Sequence, residues 1–225
     1  MINNRLVNIC LVSTALLSII LVVFPQFDIT ISNIFYSKKQ GFIYRDNIVV
    51  IAFFKSIPLL TKTFSFICVC YLAFMVFKHH NIKKIISSAF LYLLITVAIG
   101  PGITVNYALK ENFGRARPKT ITEFNGNKEF SRAFAISDQC SHNCSFSSGH
   151  AAMGYYFTAI SYVTSAIYFQ RIYLAGIFFG SLVGLSRIIM GGHFLSDVVV
   201  SCFIILLVNH LTYILWQKIK LKYKK

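Results

Sequence analysis

The sequence predicts an all-α, polytopic membrane protein of six transmembrane helices. Three observations carry that expectation. Hydrophobic residues fill 56% of the 225 positions, against about 45–50% in soluble domains. The mean hydropathy is +0.65. The apolar residues also gather into six stretches, at about 6–24, 58–77, 85–105, 151–169, 172–189 and 198–216. Each is near the ~20 residues that carry a helix across a ~30 Å hydrocarbon core.

The first stretch ends at Phe24-Pro25-Gln26 with no small-x-small cleavage site, so an uncleaved helix is expected rather than a signal peptide. The second is the weakest. Pro58 and Lys62 sit in its first turns, and the apolar run 48–54 ahead of it reads as an interfacial lead-in. The other four are read on length and apolar content alone. Asn209 and His210 form the one strongly polar pair deep in a span and read as helix-packing groups. Six spans leave no room for a second domain, so one membrane domain covering 1–225 is expected.

The net charge of +15 suits contact with anionic lipid headgroups. Nucleic acid also attracts such charge, but here the basic residues are split among short loops, and no nucleic-acid partner is expected. One set of helix ends carries Arg5, Lys78, Lys83, Lys84, Arg171, Lys218, Lys220, Lys222, Lys224 and Lys225, with no acid among them. The opposite ends carry twelve Lys/Arg and all seven acids. Raw counts do not orient the chain, but the first set sits in very short loops and tails, where the positive-inside rule is most reliable. Both termini are therefore expected in the cytoplasm, with loops 25–57, 106–150 and 190–197 facing outward.

Loop 106–150 is too long to be a simple connection. Phe113, Phe124, Phe130 and Phe134 give it apolar side chains to pack. Cys140 and Cys144 lie in it, outside the cytoplasm, where a disulfide is expected; two free thiols are the alternative. A metal site from these cysteines and His142 lacks a fourth ligand. The remaining cysteines, Cys10, Cys68, Cys70 and Cys202, fall in spans and read as small apolar groups.

Three outward clusters carry chemistry. His193 and Asp197 are four apart at the start of the last span, which puts them on one helix face. A carboxylate beside an imidazole fixes its tautomer and sharpens the other ring nitrogen as nucleophile or base. Arg187 precedes His193 by six residues. Taken alone, His-x3-Asp reads more readily as a structural helix cap. Ser147-Ser148-Gly149-His150 precedes an apolar run, as a helix start does. Free backbone N–H groups there bind anions, and glycine lets a ligand approach closely. A plain N-cap with a solvated histidine is the bland reading. Lys110 and Arg117-Pro118 follow the third span; lysine offers a point charge and arginine a fork for phosphate oxygens. Arg115 and Lys119 read as an ordinary basic juxtamembrane stretch.

Together, Lys-x6-Arg-Pro (Lys110, Arg117, Pro118), Ser148-Gly149-His150 and Ser186-Arg187-x5-His193-x3-Asp197 resemble the type 2 phosphatidic acid phosphatase superfamily. The resemblance covers 110–197 and the six-helix layout, and implies the helical bundle shared with the haloperoxidases. The family usually has proline before Ser-Gly-His; here Ser147 stands there. The resemblance implies a phosphohistidine on His193, oriented by Asp197. It implies His150 as the acid for the leaving oxygen, and then as base for water. Lys110, Arg117 and Arg187 would clamp the phosphate, with Ser148 and Gly149 adding hydrogen bonds. It implies no metal and no cofactor.

Within the superfamily, stretch 140–150 and segment 110–118 resemble the bacterial lipid A phosphatases of the 4′ type. The implied partner is a lipid phosphate, met at the periplasmic face of the inner membrane. An undecaprenyl-diphosphate or phosphatidylglycerophosphate phosphatase, or a lipid phosphotransferase, remains an alternative within enzymes. A lipid transporter or scaffold is the alternative outside them. The sequence assigns no oligomeric state.

Overall fold

The computed structural model describes residues 3–79 and 82–224. The sixth-span tail residue Lys225 lies outside them. Helix α1 (Asn4–Val23) begins where the Asn3 side chain accepts the Leu6 N–H at 3.1 Å. It packs along α8 (Leu195–Lys224). Thr14 and Ser18 satisfy their hydroxyls on backbone carbonyls one turn back. A short helix α2 (Gln26–Asn33) and a hairpin, β1 (Tyr36–Ser37) with β2 (Gly41–Phe42), follow. The strands are antiparallel, with Tyr36 opposite Phe42.

Helix α3 (Ile48–His79) starts ten residues ahead of the expected span at 58. The cause is local. Asn47 accepts the Val49 N–H at 3.0 Å and the Val50 N–H at 3.4 Å, an N-cap that starts the helix early. The run 48–54 is thus part of the helix, and Pro58 is carried inside it. After α4 (Ile82–Ile86), α5 (Ala89–Val97) runs on as a π-helical segment, Ala98–Leu109. Gly100-Pro101-Gly102 lies there, and Pro101 has no N–H to give an α-helical ladder. Side chains use carbonyls five residues back: Thr104 donates to Ile99 and Asn106 to Pro101, at 2.8 and 2.7 Å.

The fourth expected span is not one long α-helix. Helix α6 (Gly149–Tyr156) tightens into a 3₁₀ segment, Phe157–Val163. Five described helices are long and apolar enough to cross a membrane, and this segment is not among them by length. A 3₁₀ turn rises ~2.0 Å per residue and an α-turn ~1.5 Å, so the fifteen residues extend roughly 26 Å, close to a hydrocarbon core. Asn209 of α8 steadies the change of pitch. With its amide oxygen turned toward Thr158 and Ala159, it accepts from both. His210 meets the Tyr162 hydroxyl at 3.4 Å. Both residues of the polar pair therefore sit against this segment.

Helix α6 is the centre of the bundle, against α3, α7 (Ala166–Ile189), α8 and the π segment. Gly176, Gly180 and Gly184 form a stripe on α7. A Cβ at Gly176 would strike Thr158, at Gly180 the Tyr155 ring, and at Gly184 Val198. In lipid, close packing rather than water exclusion drives such association. Outside the helices, Phe42, Ile121, Phe124 and Phe194 form a separate buried cluster. There the hydrophobic effect does act, at about 1.5–3 kcal/mol per buried large side chain. It ties the hairpin and loop 106–150 to the start of α8.

Candidate active site

The connection from α7 to α8 is a tight turn. Gly191 has φ +62° and its Cα faces the Phe42 ring, so a side chain is excluded twice over. The Arg187 carbonyl accepts the N–H groups of both Gly192 and His193. Asp197 Oδ2 accepts the Phe194 N–H at 2.8 Å, closing the first turn of α8 in the manner of a capping box. This sets the His193 backbone.

The His193 ring is fully buried. Its Nδ1 lies 2.7 Å from the Ser145 carbonyl and 3.6 Å from Asp197 Oδ2. Both partners only accept, so the proton is assigned to Nδ1. Nε2 then keeps its lone pair and has no protein partner. Burial holds the imidazole well below its ordinary pKa, against the opposing pull of Asp197. The shorter tautomer-fixing contact is thus the Ser145 carbonyl, with Asp197 behind it.

Asp197 is held by a residue that the sequence reading set aside. Arg115 is fully buried. Its Nη1 donates to Asp197 Oδ1 at 2.6 Å and to Ser196 Oγ at 2.8 Å. Its Nη2 donates to Asp28 Oδ2 at 2.8 Å, and its Nε to the Ser131 carbonyl at 2.7 Å. Asp28, from α2, also accepts the Ser196 N–H and hydroxyl. Burial raises the Asp28 pKa, opposed by Arg115. Arg115 stacks over Phe194 at 4.3 Å. Ser145 Oγ donates to Asp197 Oδ2 at 2.6 Å. Four of the five guanidinium protons of Arg115 have an acceptor, and each of the four carboxylate oxygens has a donor, as buried charges require.

The other candidates surround His193. Arg117 donates from Nη1 to the Gly192 carbonyl at 3.2 Å, and from Nη2 to Asn143 Oδ1 and the Asn143 carbonyl. Asn143 is carried by a loop that a Cys140–Cys144 disulfide closes. Lys110 is 8% exposed, and its ammonium has no hydrogen-bond partner among the described residues. Burial, then Arg117 and Arg187, lower its pKa to about 8. Burial lowers that of Arg117 too. Arg187 sits 4.4 Å above the Phe54 ring, and the same ring stacks on His150 at 4.7 Å. Burial, then Arg187, Lys110 and Arg117, push His150 down to about 3.

Ser148 caps α6 by accepting from the Ala151 N–H, and its own N–H donates to the Asp197 carbonyl. A Cβ at Gly149 would collide with Asn106 Oδ1 of the π segment. Among the described residues, no three His, Cys, Asp or Glu are grouped to hold a metal. Lys110, Arg117, Ser148, Gly149, His150, Arg187, His193 and Asp197 therefore meet at one end of the bundle. Asp28, Phe54, Arg115, Asn143 and Ser145 complete the site, and none of them was singled out from the sequence. Three cations, a lone-pair nitrogen and a second imidazole are the groups that could stabilise and transfer a phosphoryl anion.

A sequence profile described as the PAP2 superfamily matches residues 89–221, well over half of the chain. The chain belongs to the PAP2 superfamily. That matched region contains all eight residues of the three clusters, while Asp28 and Phe54 lie ahead of it. Curated PAP2-like relatives include a protein named Lipid A 4'-phosphatase from Francisella tularensis subsp. novicida (strain U112). It is 40% identical over 112 residues, 49% of this chain and 50% of the relative. Proteins of the same name come from Rhizobium leguminosarum, 39% identical over 108 residues (47% and 46% of the two chains), and from Rhizobium etli (strain ATCC 51251 / DSM 11541 / JCM 21823 / NBRC 15573 / CFN 42), 37% identical over 102 residues (44% and 39%). The alignments span half or less of these relatives' lengths. No solved structure matches the chain significantly.

Proposed function

We propose that this PAP2 protein is a lipid phosphatase that removes the 4′-phosphate of lipid A. It would work at the periplasmic face of the bacterial inner membrane, through a phosphohistidine on His193. The observation that carries this reading is the buried, unpartnered Nε2 of His193, facing the field of Arg117 and Arg187. The relatives' printed name supplies the lipid.

Nε2 attacks phosphorus while Nδ1 keeps its proton against Ser145 and Asp197. The bond from phosphorus to the sugar oxygen breaks, and His150 gives that oxygen a proton. Water then attacks the phosphohistidine and passes a proton to His150. Inorganic phosphate leaves, and Nε2 regains its lone pair. Lys110, Arg117 and Arg187 balance the phosphoryl charge throughout. His150 must be protonated for the first step. Burial and then the cationic field keep it neutral; a phosphate dianion offsets the field, or the substrate monoanion brings the proton in.

The test is mass spectrometry of lipids from a bacterium lacking lipid A phosphatases, before and after expression of the chain. Loss of one phosphate at the 4′ position, absent with His193→Ala, is expected. Unchanged lipid A with phosphate released from undecaprenyl diphosphate or phosphatidylglycerophosphate would redirect the reading.

A further inference from the structure

Beside Arg117, the loop 110–148 forms a cleft of about 310 Å³. Its walls include Thr120, Asn127, Lys128, Ser141 and Asn143, and no carboxylate lines it. Of the acids beside it, Glu111 is paired with His142 at 2.8 Å and Asp138 accepts from Gln139 Nε2 at 2.7 Å. We propose that this cleft seats the sugar headgroup that carries the scissile phosphate, with Lys128 meeting a further anionic group on that headgroup. The proposal rests on the lipid A reading above and names the part of the chain that would read the headgroup.

Three features argue for it. The first is continuity. Arg117 is a wall of the cleft and also bonds Gly192, the neighbour of His193. A group joined to a phosphate at His193 therefore has the cleft as an adjoining polar space. The second is rigidity. Thr120 O accepts the N–H groups of Asn127 and Lys128, both at 3.0 Å, and Thr122 N donates to Lys128 O at 2.9 Å. Ile121 and Phe124 anchor this turn in the cluster that contains Phe194. The Cys140–Cys144 disulfide closes the opposite wall. The third is chemistry. Amides and hydroxyls match the donors and acceptors of a sugar. The side chains of Asn127 and Lys128 have no hydrogen-bond partner among the described residues. The groove between α1, Phe134 and α8 has almost wholly apolar walls, with the Ser18 hydroxyl already given to the Thr14 carbonyl, and cannot distinguish one headgroup from another.

The test compares lipid A with dioleoyl phosphatidic acid in the same detergent micelles, for the full chain and for Asn127→Ala/Lys128→Ala. The double variant is expected to lose about tenfold or more in kcat/KM on lipid A relative to phosphatidic acid, the scale of one lost charge-assisted hydrogen bond. An unchanged ratio overturns the cleft assignment while leaving the lipid A reading intact. A wild-type protein inactive on lipid A but active on phosphatidic acid overturns both. Should the double variant lose both activities by misfolding, Lys128→Gln, an exposed single change, is read by the same ratio.

Discussion

His150 and Lys110 sit in one cationic, partly dehydrated field and respond in ways that kinetics can separate. For Lys110 the field lowers the pKa to about 8. Its charged form binds phosphate and is the form lost on raising pH. kcat/KM should therefore fall above about pH 8, and Lys110→Arg, whose guanidinium stays charged, should remove that limb. A limb at the same pH in the arginine variant would assign it elsewhere. His150 in the free protein titrates near 3, so it should add no limb to kcat/KM between pH 5 and 8. Its proton matters for the leaving group. His150→Ala should slow an alkyl or sugar phosphate by roughly 10²–10⁴ and p-nitrophenyl phosphate far less, with phosphohistidine trapped from the latter. Equal losses on both would leave His150 a binding residue. The spacing of the three motifs made both residues legible. Arg115 was not legible, because Gly114-Arg115-Ala116-Arg117 reads as basic juxtamembrane sequence. Its burial depends on Asp28, 87 positions away.

Helix α2, eight residues long, contributes little apolar surface but supplies Asp28 to the start of α8. The bridge from Asp28 through Arg115 to Asp197 joins three segments at zero exposure. Removing its centre leaves two buried carboxylates uncompensated. Arg115→Ala should therefore cost about 3–5 kcal/mol, read as a lower Tm in detergent micelles. Asp28→Asn leaves Arg115 and Asp197 paired one to one and should cost less. An unchanged Tm for Arg115→Ala would show that the bridge holds nothing. Two expected spans lie close to observed helices: 6–24 is α1 (Asn4–Val23), and 172–189 lies within α7. The departures have local causes that hydropathy does not register. An Asn47 cap starts α3 early, Pro101 falls in a π segment, and Asn209 of α8 bonds the 3₁₀ segment that follows α6.

Across the molecule, the chemistry and the short basic connections that carry no acid lie at opposite ends. The motif residues gather where α5 and α7 end and α6 and α8 begin, the end that also holds Asp28 and the hairpin. Lys83, Lys84 and Lys220 line a cleft at the other end. Short lysine-rich connections are retained in the cytoplasm, which would turn the phosphate site outward. The inference can be checked without altering the charge map. Gln40 in the hairpin turn and Gln170 at the start of α7 are both neutral and exposed. With a membrane-impermeant maleimide on intact inner-membrane spheroplasts, Gln40→Cys should label. Gln170→Cys should label only after permeabilisation. Cys68 and Cys202 are buried, whereas Cys10 in α1 is half-buried and Cys70 in α3 is exposed, so both are replaced by serine in the background used for labelling. The reverse pattern would place the site in the cytoplasm. A lipid displayed on the outer leaflet would then be beyond its reach, and the lipid A assignment would fall with the orientation.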